Sequence, residues 1–532
     1  MRRYFNTEGH CDPEFHYMVR LDDRLERVRR QLIDRGKYFT INRGRQYGKT
    51  TTLMALAEYL REDYIVLAMD FQLLGSANFN SEQTFATSFI ECLEDIFDEQ
   101  DVLADKIDQE TVQDMIFLKN LEDRTLDKLF RCLSRMCRAA EQPVILMIDE
   151  VDAASNYQVF LDFLAMLRGY YLKKKTMPIF HSVILASVYD IKNLKLKLRP
   201  QEERQYNSPW NIAADFTVEM DFMPKDIATM LREYEGDCHT GMDIDMISGL
   251  IYEYTSGYPY LVSRICQIAD ERLAGTDEFP DKKSVWTREG VVAAERMLRR
   301  QPNTLFDDMV KKLADFPELK NMIQDILFCG NIYPFEHDNY LINLGVTFGF
   351  IKEREGTVVI QNRIFETKLY DLFLSETVMD DALNRAVSVG RDQFVVNGML
   401  QMRVVMEKFY QYFTEIYSGS DEKFVEKQGR KLFLMFLKPI INGSGNYYIE
   451  AQTRDARRTD VIVDYHGRQF IIELKIWRGG EYNQRGERQL FEYLDYYKAD
   501  TGYLLSFNFN RNKTTGTSEI ICGGKSIFEV VV

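Results

Sequence analysis

The chain has 532 residues, a formal net charge of −15 and 45% hydrophobic residues, which is too long for one ordinary core and apolar enough for two or three. The acidic balance argues against non-specific nucleic-acid binding by the whole surface, because phosphate contacts need clustered lysine and arginine. No apolar run reaches membrane-spanning length, and eight dispersed cysteines without a CxxC pair argue against a disulfide framework and structural zinc.

The opening Met1-Arg2-Arg3-Tyr4-Phe5-Asn6 runs into charge without a secretory apolar core, so a cytoplasmic location and no membrane partner are expected. His10, Cys11 and His16 bring metal-ligand types together but lack a fourth ligand, and are read as incidental. Tyr38-Phe39-Thr40-Ile41 then reads as a strand and Leu53-Met54-Ala55-Leu56-Ala57 as a helix. Between them lies Asn42-Arg43-Gly44-Arg45-Gln46-Tyr47-Gly48-Lys49-Thr50-Thr51. Backbone N–H groups of such a loop can cradle ATP phosphates, Lys49 can reach the terminal phosphates, and the Thr50 hydroxyl can ligate Mg2+. The spacing departs from G-x-x-x-x-G-K-[ST], because Arg43 stands where the first glycine belongs and Gly44 comes one residue late. Tyr64 to Asp70 is a second strand, and residues 75–140 form a largely helical insertion suited to partner contacts.

Val144 to Asp149 is a buried-strand run ending in Asp149-Glu150, resembling a Walker B strand. There Asp149 would help hold the magnesium shell and Glu150 would polarise the attacking water; a solvated strand end opening a helix is the plainer alternative. Ser182 to Ser187 gives a fourth strand, whose last residue is either a phosphate sensor or simply a small residue closing a buried strand. Strands alternating with helices predict a mainly parallel sheet.

Together with Asp70-Phe71-Gln72 and Ser208-Pro209-Trp210-Asn211-Ile212, these motifs resemble the bacterial AAA-like ATPases of the AAA+ and STAND-type group, over residues 1–375. The resemblance implies a helical lid whose Gly-x-Pro element is Gly257-Tyr258-Pro259, with Pro259 at the nucleotide and Arg264 as either a second sensor or an exposed helix arginine. Met322 to Phe328, with strands at Phe348 to Lys352 and Thr357 to Ile360 around a Glu355-Gly356 turn, resembles a winged helix. It lacks a dense basic helix, so a packing role is expected. The expected boundaries are 1–235 for the ATPase core, 236–300 for the lid, 301–378 for the winged-helix-like module, 379–415 for connecting helices and 416–532 for a last domain.

In that last domain Asp460 is followed, thirteen positions on, by Glu473-Leu474-Lys475. Apolar runs Val461–Val463 and Phe470–Leu474 flank a polar turn, predicting a hairpin, and strand alternation puts Glu473 and Lys475 on one face. Two carboxylates can hold a hard cation, and a neighbouring ammonium can orient water or stabilise charge on a scissile phosphate. These residues resemble the PD-(D/E)XK nuclease superfamily, with Thr459 replacing the usual proline. The resemblance implies a further acidic metal ligand on a preceding helix, matched by Glu426, and a polar catalytic residue on the following helix, matched by Gln489. Arg454, Arg457, Arg458, Arg468, Arg478, Arg485 and Arg488, interleaved with Tyr482, Phe491 and Tyr493, are either a backbone-contacting surface or a mixed solvated one.

The sequence thus predicts an α/β protein: a P-loop ATPase with a mainly parallel sheet, helical lid and winged-helix-like module, followed by an α/β PD-(D/E)XK nuclease-like domain. Its expected cofactors are ATP and Mg2+, with Mn2+ able to serve the nuclease, its partner is DNA, and a homo-oligomer would form through the ATPase domain. A nucleotide-dependent switch or DNA-binding module with an inactive nuclease fold is the alternative, and an ATPase chaperone for proteins a third.

Overall fold

Four short apolar runs build the first sheet: β1 (Tyr38–Asn42), β2 (Ile65–Asp70), β3 (Val144–Asp149) and β4 (Ser182–Ser187). β3 and β4 are buried at every position, as strands covered on both faces must be, which is why they read as continuous apolar runs rather than alternating ones. All pairings are parallel, in the order β1-β4-β3-β2. A single bridge from Phe39 to Ala214 extends the free side of β1. This computed structural model describes residues 3–99, 106–107, 109–188, 210–329, 331–377, 391–396, 398–416, 426–441, 445–452, 458–465, 468–476, 487–488, 490–495, 497, 499–508, 515–522 and 524–532.

The chain divides into two units: one of Met1–Lys312, Glu336–Lys352 and Ile360–Phe365, the other of Leu313–Phe335, Glu353–Val359 and Glu366–Val532. In the first unit the insertion after β2 is helical over Glu82–Glu99, Gln109–Lys119 and Leu126–Ala139. Leu126, Leu129, Phe130, Leu133 and Met136 recur at helical spacing and enter the core, where Phe85, Phe89 and Phe130 all pack against Phe163. Trp210, fully buried, donates from its indole to Thr40 Oγ1 at 2.8 Å, while the neighbouring Ser208 and Pro209 lie outside the described residues.

Beyond the sheet, helices Pro224–Cys238, Ile244–Thr255, Pro259–Ile268 and Arg288–Arg300 follow one another. The turn before Pro259 needs glycine: Gly257 has φ +77°, and a Cβ there would stand 2.0 Å from the Phe222 carbonyl oxygen. Proline suits the first helical position because its missing N–H would have no partner there. Farther on come helices Pro317–Cys329 and Tyr340–Thr347 and a hairpin of β5 (Ile351–Arg354) and β6 (Thr357–Ile360), turned by Glu355 and Gly356 at positive φ.

In the second unit, a short ribbon of β7 (Val395–Val396) and β8 (Met399–Leu400) precedes a six-stranded mixed sheet. Its strands are β9 (Gly445–Gln452), β10 (Arg458–Tyr465), β11 (Arg468–Ile476), β12 (Thr501–Phe507), β13 (Gly516–Cys522) and β14 (Lys525–Val531), in the order β13-β14-β12-β11-β10-β9. The expected hairpin is β10 and β11, paired from Val461↔Ile472 to Tyr465↔Arg468. Its first strand starts earlier than its apolar run, because Arg458 and Thr459 pair with β9. One face packs Ile471, Leu504 and Ile527 against Leu490, Tyr493 and Leu494. The other carries Phe507, against Phe409 and Phe413 of helix Met402–Ile416 and against Gly429 of helix Glu426–Ile441.

Candidate functional site

Every strand of the parallel sheet delivers polar residues to the same carboxyl edge. The β1 strand runs into the glycine loop, β3 ends at Asp149, β4 at Ser187, and β2 at Asp70 directly beside Asp149. Such an edge is where parallel sheets place ligands, since helix N-termini converge there. In the loop, Gln46 (φ 56°) and Gly48 (φ 74°) take left-handed backbone, and helix Lys49–Leu60 starts at once. Left-handed residues in such a turn point successive N–H groups to one side, the geometry of an anion nest. Lys49 is buried and donates to the carbonyls of Arg43 and Gly44 at 3.0 and 3.1 Å. Burial lowers its pKa, while the charges of Glu150, Asp152 and Asp149 oppose that shift.

The two motifs that sequence separates by a hundred residues meet at one hydrogen bond: the Thr50 hydroxyl donates to Asp149 Oδ2 at 2.6 Å. Asp149 Oδ1 accepts the Glu150 N–H at 2.8 Å, so the carboxylate is fixed from both sides. A hydroxyl and a carboxylate in contact beside an ammonium are a donor set suited to a hard cation bridging phosphates. Glu150 is half-buried at φ 49°, and burial raises its pKa against the lowering influence of Lys49. Ser187, fully buried, accepts the Arg43 N–H at its carbonyl at 3.3 Å, on the strand between the loop strand and the acidic one. Asp152, which no local motif singles out, accepts the Val188 N–H at its Oδ2 at 2.5 Å and so ties the acidic segment to the exit of β4.

Beside the loop opens a cavity of about 360 Å³, bounded by Gln46, Gly48 and Thr51 on one side and by Pro259 and Tyr260 on another. A further part of its wall is Asn6 to Gly9 with Cys11, of which the sequence marks only Cys11, as an incidental metal-ligand type. The Asn6 amide donates to the carbonyls of Glu8 and His10 at 2.7 and 2.9 Å, and the Cys11 N–H donates to Thr51 Oγ1 at 3.1 Å. Met18, Val19, Leu21, Phe222 and Met230 make much of this cavity apolar, as a flat heterocycle requires. Arg264 is not an exposed arginine: it donates to Gln267 and Gln301, and Gln267 in turn accepts from Thr7. Among the described residues no group of three or more His, Cys, Asp or Glu could hold a metal ion by itself.

In the second unit the Glu473 carboxylate is 1% exposed and its Oε1 lies 2.8 Å from Lys475 Nζ, so alternation has put the two on one face. Asp460 precedes Val461 on β10, and Glu473 follows Val461's partner Ile472 on β11. The side chains of Asp460 and Glu426 and the whole of Gln489 lie outside the described residues; Glu426 is the first residue of its helix. On the same face as Glu473, the buried Glu529 accepts from Ser506 at 3.5 Å and Ser518 at 3.0 Å, a polar group whose only sequence signal is a polar residue on a core-facing alternation. The aromatic and basic surface expected here needs correcting at Tyr493, which is 1% exposed within the core and cannot stack on a base. Arg468 stands over the Phe470 ring at 5.4 Å, Arg488 is exposed, and Arg454, Arg457, Arg478, Tyr482 and Arg485 lie outside the described residues.

A parallel sheet with a glycine loop on its first strand, a lysine and threonine opening the next helix, and an acidic pair on a distant strand define a P-loop ATPase. More particularly, the chain belongs to the AAA-like domain family, whose signature matches residues 8–277. Among solved structures it is similar to the Walker-type ATPase PABY2304 of Pyrococcus abyssi, with 13% identity and a TM-score of 0.47 over 69% of this chain and 99% of that one. It is also similar to the ORC2 protein of Aeropyrum pernix (11%, TM-score 0.37, 71% and 98%) and to a RuvB variant of Thermotoga maritima (12%, TM-score 0.31, 64% and 92%). No curated protein matches it. No helix among the described residues is long and apolar enough to cross a membrane.

Proposed function

We propose that this AAA-like ATPase binds ATP with Mg2+ at residues Gly44–Thr51 and carries a Mg2+-dependent nuclease centre acting on DNA, under nucleotide control. Lys49 and the loop N–H groups would hold the phosphates, Thr50 and Asp149 the cation, and Glu150 would orient the attacking water, with Ser187 at the terminal phosphate and Pro259 beside the base cavity. When bound, the cation supplies charge neutralisation for phosphoryl transfer, and the chain's own part is placement of carboxylate, hydroxyl and ammonium around it.

The observation that carries the nuclease reading is the buried Glu473 carboxylate 2.8 Å from Lys475 Nζ. Buried carboxylates of this kind are costly unless they have a partner or a task. Asp460 and Glu473, with Glu426, would hold Mg2+ or Mn2+, while Lys475 and Gln489 would orient the water and the scissile phosphate. One feature favours the alternative of a nucleotide-dependent switch or DNA-binding module with an inactive nuclease fold: the ion pair already engages one Glu473 oxygen.

A cleavage assay crossing ATP, Mg2+ and Mn2+ with wild type, Asp460→Ala and Lys49→Ala separates these readings. The nuclease reading expects metal-dependent cutting that Asp460→Ala reduces by at least about 100-fold with ATP binding intact. No cutting of any DNA or RNA form by wild type, with specific binding retained, would establish the switch instead.

A further inference from the structure

The loop departs from the standard spacing at Arg45-Gln46-Tyr47, and the first unit holds each residue of this stretch with side chains from far along the chain. An added Cβ at Gly44 would meet the Phe348 carbonyl oxygen at 2.7 Å, so that backbone lies directly on the loop. Arg45 is 3.7 Å from Asp308 and its carbonyl accepts from the Tyr258 hydroxyl at 2.5 Å. Gln46, at its left-handed φ of 56°, donates to Thr304 at 3.1 Å. Tyr47 is buried edge-on to Tyr258, with centroids 4.5 Å apart, and its hydroxyl donates to Asp221 Oδ1 at 2.6 Å.

One residue closes this arrangement. The Gln361 amide donates to the Tyr47 hydroxyl at 3.0 Å and to Asp221 Oδ2 at 3.1 Å, bridging 314 positions of sequence inside one unit. We infer that Gln361, with Asp221, is a positioning residue of the nucleotide loop: it fixes Tyr47, and through Tyr47 the strained backbone of Gln46, in the phosphate-binding conformation. A non-glycine residue with positive φ persists only where its surroundings over-determine it. Releasing the clamp lets the loop relax, and nucleotide affinity then falls in proportion to the fraction of molecules still in the binding-competent form. Gln361 acts through Tyr47 and Asp221, so its effect is expected on affinity rather than on the chemical step.

This inference rests on Gly44–Thr51 being the nucleotide site, and Lys49→Ala tests that separately. Binding of a fluorescent ADP analogue with Mg2+ is measured for wild type, Gln361→Leu, Tyr47→Phe, the double variant and Lys49→Ala, with melting temperatures of the nucleotide-free proteins. We expect Gln361→Leu to bind about tenfold more weakly, the loss typical of removing one buried charge-assisted hydrogen bond. The double variant should bind no more weakly than the weaker single one, because both act through the Tyr47 hydroxyl. A purely structural role would lower the melting temperature and leave affinity untouched. Affinity of Gln361→Leu within twofold of wild type, or losses that multiply in the double variant, overturns the inference while Lys49→Ala still loses binding. Unchanged binding by Lys49→Ala would instead remove the nucleotide-site reading beneath it.

Discussion

Glu150 concentrates the tension of the proposed ATP site in a single residue. It sits in left-handed backbone, in a half-buried setting that raises its pKa, so the ionised form is the one the folded state tolerates least. The sign follows: a carboxyl with a raised folded pKa favours folding more as pH falls through its titration, and when ionised near neutrality it detracts from stability. Glu150→Gln is therefore expected to melt at a higher temperature than wild type, to keep ATP affinity, and to lose turnover by at least about 100-fold. Calorimetry beside a phosphate-release assay checks all three, and an unchanged turnover rate would remove Glu150 from the water-orienting role. Lys49, Thr50, Asp149 and Glu150 stand out in the sequence as candidates because each belongs to a local pattern of strand, loop and helix. Asn6, Asp152 and Gln361 do not, because nothing in their neighbourhoods along the chain sets them apart. Their importance comes from partners at Glu8 and His10, at Val188, and at Tyr47 and Asp221.

Among the elements, the turn before helix Pro259–Ile268 is tightly constrained. Gly257 combines φ +77° with a Phe222 carbonyl that leaves no room for a side chain, and Phe222 also lines the cavity beside the loop. Gly257→Ala should cost about 2–4 kcal/mol of stability and weaken nucleotide binding together, since relief of the clash must move either the turn or the cavity wall. Thermal melting with and without nucleotide reads both; a variant as stable as wild type would show that the turn is not fixed by this contact. Strand alternation made the β10–β11 hairpin readable, because a period of two fixes which side chains share a face. The helix after it was less readable. Tyr493 lies on an amphipathic stretch where an aromatic serves either a core or a surface, and only packing against Ile471 and Leu504 decides for the core. The early start of β10 was equally hidden, since Arg458 and Thr459 are strand residues by virtue of β9, not of their own propensity.

For the whole molecule, the co-occurrence of the proposed ATP site and a Glu-x-Lys strand in one chain motivates the proposal of nucleotide-controlled cleavage. Lys49→Ala should change the cleavage rate in the presence of ATP and leave it unchanged in its absence, and identical rates with and without ATP for wild type would separate the two activities. The sheet order carries a different consequence, for how the protein comes into being. β4 is the last of the four parallel strands in sequence yet sits between β1 and β3, so β1 has no neighbour on that side until residues 182–187 have been made. The Thr50–Asp149 bond across 99 positions cannot be fixed before that insertion. Non-local parallel pairings form late and slowly, so a nascent chain carries its phosphate loop for most of the synthesis of this domain before the loop has a sheet to stand on. The phosphate loop therefore gains its sheet only when the last parallel strand is in place.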